Sequence, residues 1–260
     1  MPPLPARLDL TGRTALVTGA GSPTGIGFAT AAALGELGAS VLVTATTGRV
    51  HDRVAELRTA GVDAQAVVTR LDSEAEAAAL AASWRTPPTI LVNNAGMVAT
   101  GEDMPGGDVT VDVAQWEAGL RQNLTSAFLV TRAVVPGMRA AGWGRIVNVS
   151  SVTGPVMASR GDVAYAAAKA GMAGLVRALA VDEAPAGITA NAVAPGWIAT
   201  GSQLESEARE GRLVPAGRSG TADEVACAIA WLCTPGAAYV TGQTVVVDGG
   251  NSVAEQRLPD

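Results

Sequence analysis

Three side chains in one stretch of the sequence have the types and spacing needed to move a proton. They are Ser151, Tyr165 and Lys169. On a helix, Tyr165 and Lys169 would lie one turn apart on the same face. A phenol has an ordinary pKa of about 10, and a neighbouring ammonium lowers it. The hydroxyl of Ser151, placed at the end of a strand, could hold a carbonyl oxygen beside the phenol, so the trio predicts proton transfer to or from an oxygen atom.

The pattern Tyr-x-x-x-Lys also arises by chance, and most such pairs are surface residues. Its context favours catalysis here. The preceding run IVNVSS is typical of a buried strand, and AYAAAKAGMAGLVRALA is typical of a helix rich in small residues. A tyrosine between a parallel strand and a closely packed helix is a plausible active-site residue.

A glycine-rich turn near the start of the chain predicts a dinucleotide site. A buried strand from Thr14 to Thr18 leads into Gly19, Gly25 and Gly27, which are followed by a helix and a second apolar strand, SVLVTAT. This β-turn-α-β order is the beginning of a dinucleotide-binding fold. The glycines let the backbone approach a pyrophosphate at the helix N-terminus.

The end of the second strand predicts NADP(H) rather than NAD(H). NAD enzymes of this kind usually carry Asp or Glu there, which accepts a hydrogen bond from the ribose 2′-hydroxyl. Here residues 44–47 read Thr-Ala-Thr-Thr, and Arg49 follows. Hydroxyls and one arginine could bind a 2′-phosphate. The alternative is that Arg49 only caps or solvates a helix.

The remaining runs complete an α/β pattern. Seven strand-like runs alternate with helices, which predicts one domain over residues 1–260, a Rossmann-like, doubly wound, seven-stranded parallel sheet with helices on both faces. Asp72 follows the third strand and either accepts from adenine or caps the next helix. Two amides end the fourth strand in NNAG, where they can tie neighbouring loops. Asn123 lies inside a long helix predicted over residues 116–138, as a local kink or a holder of water.

Two further segments are assigned from composition. Residues 199–216 are polar and predict a lid over the site, and residues 251–260 form a C-terminal tail.

Composition excludes several classes of function. The net charge of −6 and pI near 4.9 argue against a nucleic-acid partner. No apolar run is long enough to predict a membrane span, and no signal-peptide pattern is present, so a cytoplasmic location is expected.

Cys227 and Cys233 are predicted as core residues, with no metal site. His51 is the only histidine and is predicted on a solvated helix face, so a Ser-His-Asp triad would have to use it.

Several motifs occur in a specific order and together resemble the short-chain dehydrogenase/reductase family over residues 8–250. They are TGAGSPTGIG at 18–27, NNAG at 93–96, Asn123, Ser151 in SSVTG, YAAAK at 165–169, PGWIAT at 195–200, and VTGQ through VDGG at 240–250. Within the family the chain is most similar to the β-ketoacyl-ACP reductases.

The resemblance implies a role for each matching residue. Tyr165 would be the general acid in reduction, or the base in oxidation. Lys169 would hold the nicotinamide ribose and lower the tyrosine pKa, Ser151 would orient the carbonyl, and Asn123 would position a water. The implied cofactor-binding residues are Gly19, Ser22, Thr24, Gly25, Ile26, Gly27, Thr46, Thr47, Arg49, Leu71, Asp72, Asn94, Ala95, Gly96, Tyr165, Lys169, Pro195, Gly196, Ile198 and Thr200.

The chain departs from the family pattern near the expected pocket. The glycine loop is two residues longer than the usual TGxxxGxG, a spacing similar to that of enoyl-ACP reductases. The segment between Ser151 and Tyr165 is one residue longer than is common, and the loop over residues 97–116 is also longer than in close relatives. We therefore expect a ketone or secondary alcohol as substrate, or a 3-oxoacyl thioester. Enoyl reduction, alcohol oxidation and a non-catalytic cofactor sensor are the alternatives.

Two features predict a homotetramer. The Tyr165 helix carries many alanines and glycines, which would let two helices approach closely, and the last strand, TVVV, is an apolar edge. The alternative is that the small residues only pack the helix against its own sheet.

An acidic acyl carrier protein would prefer basic residues near the site, whereas this helix ends at Asp182-Glu183.

Overall fold

The computed structural model describes residues 4–96 and 107–256, and their seven strands form one parallel sheet. The strands are β1 Thr14–Val17, β2 Ser40–Ala45, β3 Ala64–Val68, β4 Ile90–Asn93, β5 Gly144–Val149, β6 Ile188–Pro195 and β7 Thr244–Val247. The helices are α1 Ile26–Glu36, α2 Val50–Thr59, α3 Glu74–Ala82, α4 Val113–Leu120, α5 Ser126–Ala141, α6 Val163–Glu183, α7 Glu205–Arg212 and α8 Ala222–Leu232. The spatial order β3-β2-β1-β4-β5-β6-β7 confirms the predicted doubly wound fold.

Alternate residues of each strand point to opposite faces of the sheet and build two separate cores. Val17, Val43 and Val92 face one way and pack with apolar residues of α1, α2 and α8. Their neighbours Leu16 and Leu91 face the other way and pack with residues of α3 and α5. Because both faces are covered, the strands are apolar on both sides, as in other parallel sheets.

All seven strands run the same way, so the sheet has two functional ends. We call the end where the strands finish the carboxyl edge, and the end where they begin the amino edge. The loops that carry the predicted chemistry all leave the carboxyl edge.

The helix predicted over residues 116–138 is not continuous. It is divided into α4 and α5 by a π-helical turn, Arg121–Thr125, which contains the buried Asn123. A π turn holds one extra residue per turn and displaces the side chains that it carries. Asn123 was predicted either to mark a local kink or to hold a water. The π turn is a local distortion of the helix, as the first alternative predicts.

Other boundaries also differ from the sequence prediction. Helix α4 begins at Val113, three residues before the predicted helix start at 116. The predicted lid contains helix α7, whose N-terminus is capped where Glu207 accepts from the Leu204 N–H at 2.8 Å. The first half of the predicted long loop, residues 97–106, lies outside the described residues, as do the last four residues of the tail.

The cysteine prediction was half wrong. Cys233 is fully buried, but Cys227 is exposed on α8, and both are free thiols. Their different burial follows from their spacing, which puts them on different faces of the helix. His51 is exposed on α2, as predicted. No cluster of three or more His, Cys, Asp or Glu side chains that could hold a metal occurs among the described residues.

Helix α6 is the one described helix long and apolar enough to cross a membrane by length and composition alone. It packs beside β6 and buries Lys169, Met172 and Val176. Its exposed positions include Ala170 and Gly174.

Candidate active site

The predicted proton-transfer residues meet at the carboxyl edge. Ser151 follows the end of β5 by two residues, and Tyr165 and Lys169 lie in the first two turns of α6. The Ser151 Oγ accepts from the Thr153 N–H at 3.1 Å and also shares a hydrogen bond with the Tyr165 phenol. The structure therefore brings together a serine and a tyrosine that are fourteen residues apart in the sequence.

The prediction that Lys169 lowers the pKa of Tyr165 was wrong for this structure. Burial raises the pKa of the phenol to about 12, and the Ser151 hydrogen bond lowers it by less. The carboxylates of Asp162 and Glu207 raise the phenol pKa further. Lys169 does not offset these effects, because its Nζ lies 5.4 Å from the centre of the phenol ring and donates elsewhere. Tyr165 is consequently neutral at pH 7, which is the form that donates a proton.

Lys169 is a buried cation and the only lysine in the chain. The residue is 3% exposed, and its Nζ donates to the Val149 carbonyl at 2.9 Å. Burial lowers its pKa to about 8. The Ser150 hydroxyl donates to the Lys169 carbonyl at 2.9 Å and so ties this turn of α6 to the end of β5.

Asn123 and Gly96 lie close to Lys169. Asn123 donates through Nδ2 to the Gly119 carbonyl at 3.2 Å, within the distorted helix. Gly96 has φ +151°, and a Cβ at this position would lie 2.7 Å from Asn123 Oδ1 and 3.4 Å from Lys169 Nζ. A larger residue would therefore push the two polar side chains out of place.

The predicted tying role of the two amides at the end of β4, Asn93 and Asn94, is confirmed by their contacts. The Thr18 hydroxyl accepts from the backbone N–H groups of Asn94 and Ala95 at 3.0 and 2.9 Å. The Asn94 amide donates to the carbonyls of Thr18 and Gly19 at 2.9 and 3.0 Å. Asn93 reaches the other side and donates to Asn148 Oδ1 at 2.9 Å. These bonds fix the glycine turn relative to β4 and β5.

The start of α1 fits the pyrophosphate of a dinucleotide. Gly25 is the N-cap residue, no side chain caps the helix, and the first turn carries no acidic residue. A Cβ on Gly27 would lie 2.7 Å from the Gly19 carbonyl oxygen, so only glycine allows this tight turn. The helix N-terminus therefore keeps the open, positive character that binds phosphate.

The residues predicted to select the cofactor follow β2. Thr46, Thr47 and Arg49 are exposed, and Arg49 Nε donates to Thr47 Oγ1 at 3.2 Å. Arg49 is at the N-cap position of α2 but its side chain makes no capping bond. The Arg49 guanidinium therefore takes no part in capping α2.

The connection after β3 contains a feature that the sequence does not signal. Leu71 is buried and adopts φ +66°, a left-handed conformation that is costly for a branched side chain. Asp72, which follows it, lies 3.6 Å from the Arg70 guanidinium. The alternative role of Asp72 as a helix cap was wrong, because Ser73 caps α3 by accepting from the Glu76 N–H.

The longer glycine loop contacts the segment after β6. Thr24 Oγ1 accepts from the Gly201 N–H at 2.8 Å, and Thr200 and Ser202 share a hydroxyl contact at 3.1 Å. The loop that contains Ser22 thus meets the predicted lid directly. Pro195 ends β6, and Gly196 and Ile198 lead from it to Thr200. Sequence reasoning gave no role to Thr18, although it opens the glycine motif at 18–27. It also missed Asp162 and Glu207, because isolated Asp and Glu residues outside a motif carry no signal.

A family model described as enoyl-(acyl carrier protein) reductase matches residues 19–252. With the sheet order and the site, this match and the relatives below show that the chain belongs to the short-chain dehydrogenase/reductase family. The chain is 42% identical over 251 residues to the 3-oxoacyl-[acyl-carrier-protein] reductase FabG of Pseudomonas aeruginosa, an alignment that covers 94% of this chain and 98% of the relative.

Two solved structures show the same fold. A 3-oxoacyl-[acyl-carrier protein] reductase with bound NAD from Brucella melitensis is 34% identical, has a TM-score of 0.86 and covers 96% of this chain and 97% of its own. A gluconate 5-dehydrogenase from Burkholderia cenocepacia in complex with NADP and tartrate is 31% identical, also with a TM-score of 0.86, over 96% and 98% of the two chains. The chain is therefore an NAD(P)-dependent oxidoreductase that interconverts ketones and secondary alcohols.

Proposed function

We propose that this chain is an NADP(H)-dependent ketoreductase in which Tyr165 is the general acid. The observation that carries the proposal is the hydrogen bond between Ser151 and a half-buried, neutral Tyr165 phenol at the carboxyl edge. In the reductive direction, the carbonyl carbon accepts a hydride and the carbonyl oxygen accepts the Tyr165 proton. When bound, the nicotinamide cofactor supplies the hydride.

The neighbouring side chains position the reacting oxygen and hold the proton. Ser151 donates to the substrate carbonyl oxygen and keeps it beside the phenol. Lys169 presents a buried ammonium that would hold the hydroxyls of the nicotinamide ribose when the cofactor is bound. Asn123 holds a water in the path by which Tyr165 is reprotonated.

A kinetic assay tests this function. The purified protein is mixed with NADPH and acetoacetyl-CoA, an acyl-ACP mimic, bulky aryl ketones or 5-ketogluconate, and loss of nicotinamide absorbance is followed. We expect turnover of ketones. Crotonyl-CoA is included as an enoyl substrate, and faster turnover of it than of every ketone would contradict the proposed chemistry. Binding of NADPH without turnover of any substrate would favour the sensor alternative.

The substrate class follows from the charges at the site. The Asp162 and Glu207 carboxylates act on the Tyr165 phenol, and neither forms an ion pair among the described residues. These charges disfavour a substrate whose carboxylate lies beside the reacting ketone. We therefore expect uncharged ketones and 3-oxoacyl thioesters to be reduced with higher kcat/KM than 5-ketogluconate.

The preference for NADPH rests on the end of β2. Ala45 is the last residue of the strand, where an acidic residue would accept from the 2′-hydroxyl, and Arg49 is uncommitted to its helix. Replacing Ala45 with Asp is expected to reverse the preference, because a carboxylate repels a 2′-phosphate. The measurement is kcat/KM with NADPH and NADH for both proteins, and a parent enzyme that favours NADH would contradict this assignment.

A homotetramer is supported by two unpartnered surfaces. The first comprises exposed residues of α5 and α6, which are Phe128 on α5 and Ala170, Gly174 and Val181 on α6. The second is β7, which is an edge strand of the sheet formed by the described residues and exposes Val246. Ala168 and Ala173 are buried within the same chain, so these two residues pack α6 internally, and only its exposed small residues are left for contact with another subunit. Light scattering after gel filtration distinguishes a tetramer, a dimer using one surface, and a monomer that would contradict the proposal. The cytoplasmic location and the lid role of residues 199–216 stay predictions.

A further inference from the structure

A cavity at the amino edge lies away from every residue of the proposed active site. Its volume is about 640 Å³, and its wall includes Trp143, Arg145, Gly187, Thr189 and Pro235. Arg145 and Thr189 are neighbours across β5 and β6, near the beginnings of both strands. The volume is within the range of small-molecule sites in proteins.

Arg145 is a buried cation on this wall. The residue is 2% exposed, and its Nη1 donates to the carbonyls of Gly144 and Gly187 at 2.8 and 3.3 Å, while Nε donates to the Thr234 carbonyl at 3.3 Å. Its second terminal nitrogen, Nη2, makes no hydrogen bond to any described residue and is not sealed from solvent. One donor group of the guanidinium is therefore left for a ligand.

A second arginine shares the same aromatic ring. The guanidinium carbons of Arg13 and Arg145 lie 3.9 and 4.4 Å from the centre of the Trp143 ring. Neither arginine takes part in an ion pair among residues 4–96 and 107–256. Burial lowers the pKa of Arg145, the nearby Cys233 raises it by less, and repulsion from Arg13 lowers it further.

The wall also contains a hydroxyl without a partner in the described part of the chain. Thr189 is 6% exposed, and its Oγ1 is buried and makes no hydrogen bond there. Arg13 and Arg145 lie close together without a carboxylate partner, although the chain has a net charge of −6. A buried charge without an opposite charge is costly, so an anion bound here would be stabilising. A planar guanidinium with free N–H groups is well suited to bind an oxyanion.

We propose that this amino-edge cavity binds the oxyanion group of a small molecule, either a phosphate or a carboxylate. Arg145 Nη2 is the principal donor, Arg13 supplies the second positive charge, and Thr189 Oγ1 is an additional donor on the same wall. The site lies at the beginning of β5, whereas Ser151 follows its end, so the anion and the dinucleotide bind independently.

The test measures anion binding by the full chain saturated with NADPH, which fills the phosphate-binding positions at the carboxyl edge. Unfolding temperature is followed as sodium phosphate or sodium citrate replaces sodium chloride at constant ionic strength. We expect a saturable stabilisation, and the anion giving the lower apparent Kd identifies phosphate or carboxylate as the preferred group. Calorimetric titration with the same salt gives the stoichiometry, which should be one per chain.

Two variants and one control make the result specific. Arg145→Met should abolish saturable binding. If that variant fails to fold, Arg13→Gln serves instead, since Arg13 makes no side-chain hydrogen bond among the described residues, and it should weaken binding about two- to five-fold. Arg85→Gln removes an exposed arginine elsewhere and should bind like the parent. Equal stabilisation of the parent, Arg13→Gln and Arg145→Met would overturn the proposal, as would phosphate and citrate effects no greater than that of chloride.

Discussion

Strand β5 has a buried cation near each end, and the two differ in chemistry. At the carboxyl edge, Lys169 donates to the carbonyl of Val149, the last residue of the strand. At the amino edge, Arg145 is the second residue of the strand and donates to the carbonyl of Gly144. Both cations are almost fully buried and both are held by backbone carbonyls. An ammonium responds to burial by losing its proton more readily, whereas a guanidinium stays charged.

The difference shows how one strand can serve two purposes. Burial lowers the pKa of Lys169 to about 8, so its charge responds to pH near neutrality. Arg145 is a fixed charge with three carbonyl partners, so it holds the starts of β5 and β6 and the residues before β7 in place. The carboxyl edge therefore carries groups that can change protonation, and the amino edge carries permanent charge.

The largest expected effect is at Tyr165. Replacing Tyr165 with Phe should lower kcat by about 100- to 10,000-fold, because a general acid is typically worth that much. The change removes one hydroxyl and should leave the fold and NADPH binding nearly intact. Tyr239, the only other tyrosine, is fully exposed, and Tyr239→Phe is the matched control. A Tyr165→Phe enzyme with the parent rate would exclude Tyr165 as the acid.

Replacing each cation with methionine separates their roles. Arg145→Met should lower the free energy of unfolding by about 2–4 kcal/mol, because three buried carbonyls lose their donor. Lys169→Met removes a buried charge that has one carbonyl partner, so the free energy of unfolding at pH 7 should be unchanged or higher while turnover is lost. Urea unfolding of both variants and the parent measures this. If Lys169→Met is destabilised as much as Arg145→Met, the two cations are equivalent structural ties.

Stability should depend on pH through Lys169. Its pKa is about 8 when folded and has an ordinary value of 10.5, so between these values the unfolded chain binds more protons and stability rises with pH. Above pH 9 the effect is opposed by Cys233, whose pKa burial raises to about 12. The free energy of unfolding should therefore increase by up to about 1 kcal/mol from pH 8 to 9. Urea titrations at pH 8.0, 8.5 and 9.0 should show the increase in the parent and its absence in Lys169→Met.

The smallest expected effect concerns the contact between the glycine loop and the predicted lid. Thr24→Val keeps the shape of the side chain but removes the acceptor of the Gly201 N–H. One neutral hydrogen bond is worth about 0.5–1.5 kcal/mol, so the Kd for NADPH should rise by roughly two- to ten-fold. Fluorescence titration measures the Kd, and Thr24→Ser, which keeps the hydroxyl, is the control. An unchanged Kd in Thr24→Val would show that the contact does not aid cofactor binding.

Sequence reasoning recovered the parts of the molecule that depend on local pattern. The seven strands and the positions of Ser151, Tyr165 and Lys169 follow from period and spacing, because parallel strands place their following loops at one edge. The π turn at Asn123 could not be predicted, since an asparagine is compatible with a regular helix and with a distorted one. The high pKa of Tyr165 depends on which elements cover the phenol and on Asp162 and Glu207, which no motif links to it.

The amino-edge cavity could not be predicted from the sequence either, because it forms between elements that are distant in the chain. Its wall is built from Trp143, Gly187, Thr189 and Pro235, which come from four different turns or strand ends. The exposure of Cys227 and the left-handed backbone of Leu71 are likewise set by tertiary packing and not by residue type. Local periodicity describes single elements, whereas these features arise where elements meet.

The single buried lysine also makes local opening of the structure measurable by chemical labelling. Amine-directed acylating reagents react with uncharged amines that they can reach, and Lys169 is the chain's only side-chain amine. The rate of acylation at Lys169 is measured by mass spectrometry of the peptide that contains it. This rate therefore depends on how often α6 separates from the end of β5. The labelling rate would report the opening free energy of one defined turn, without competing signals from other lysines.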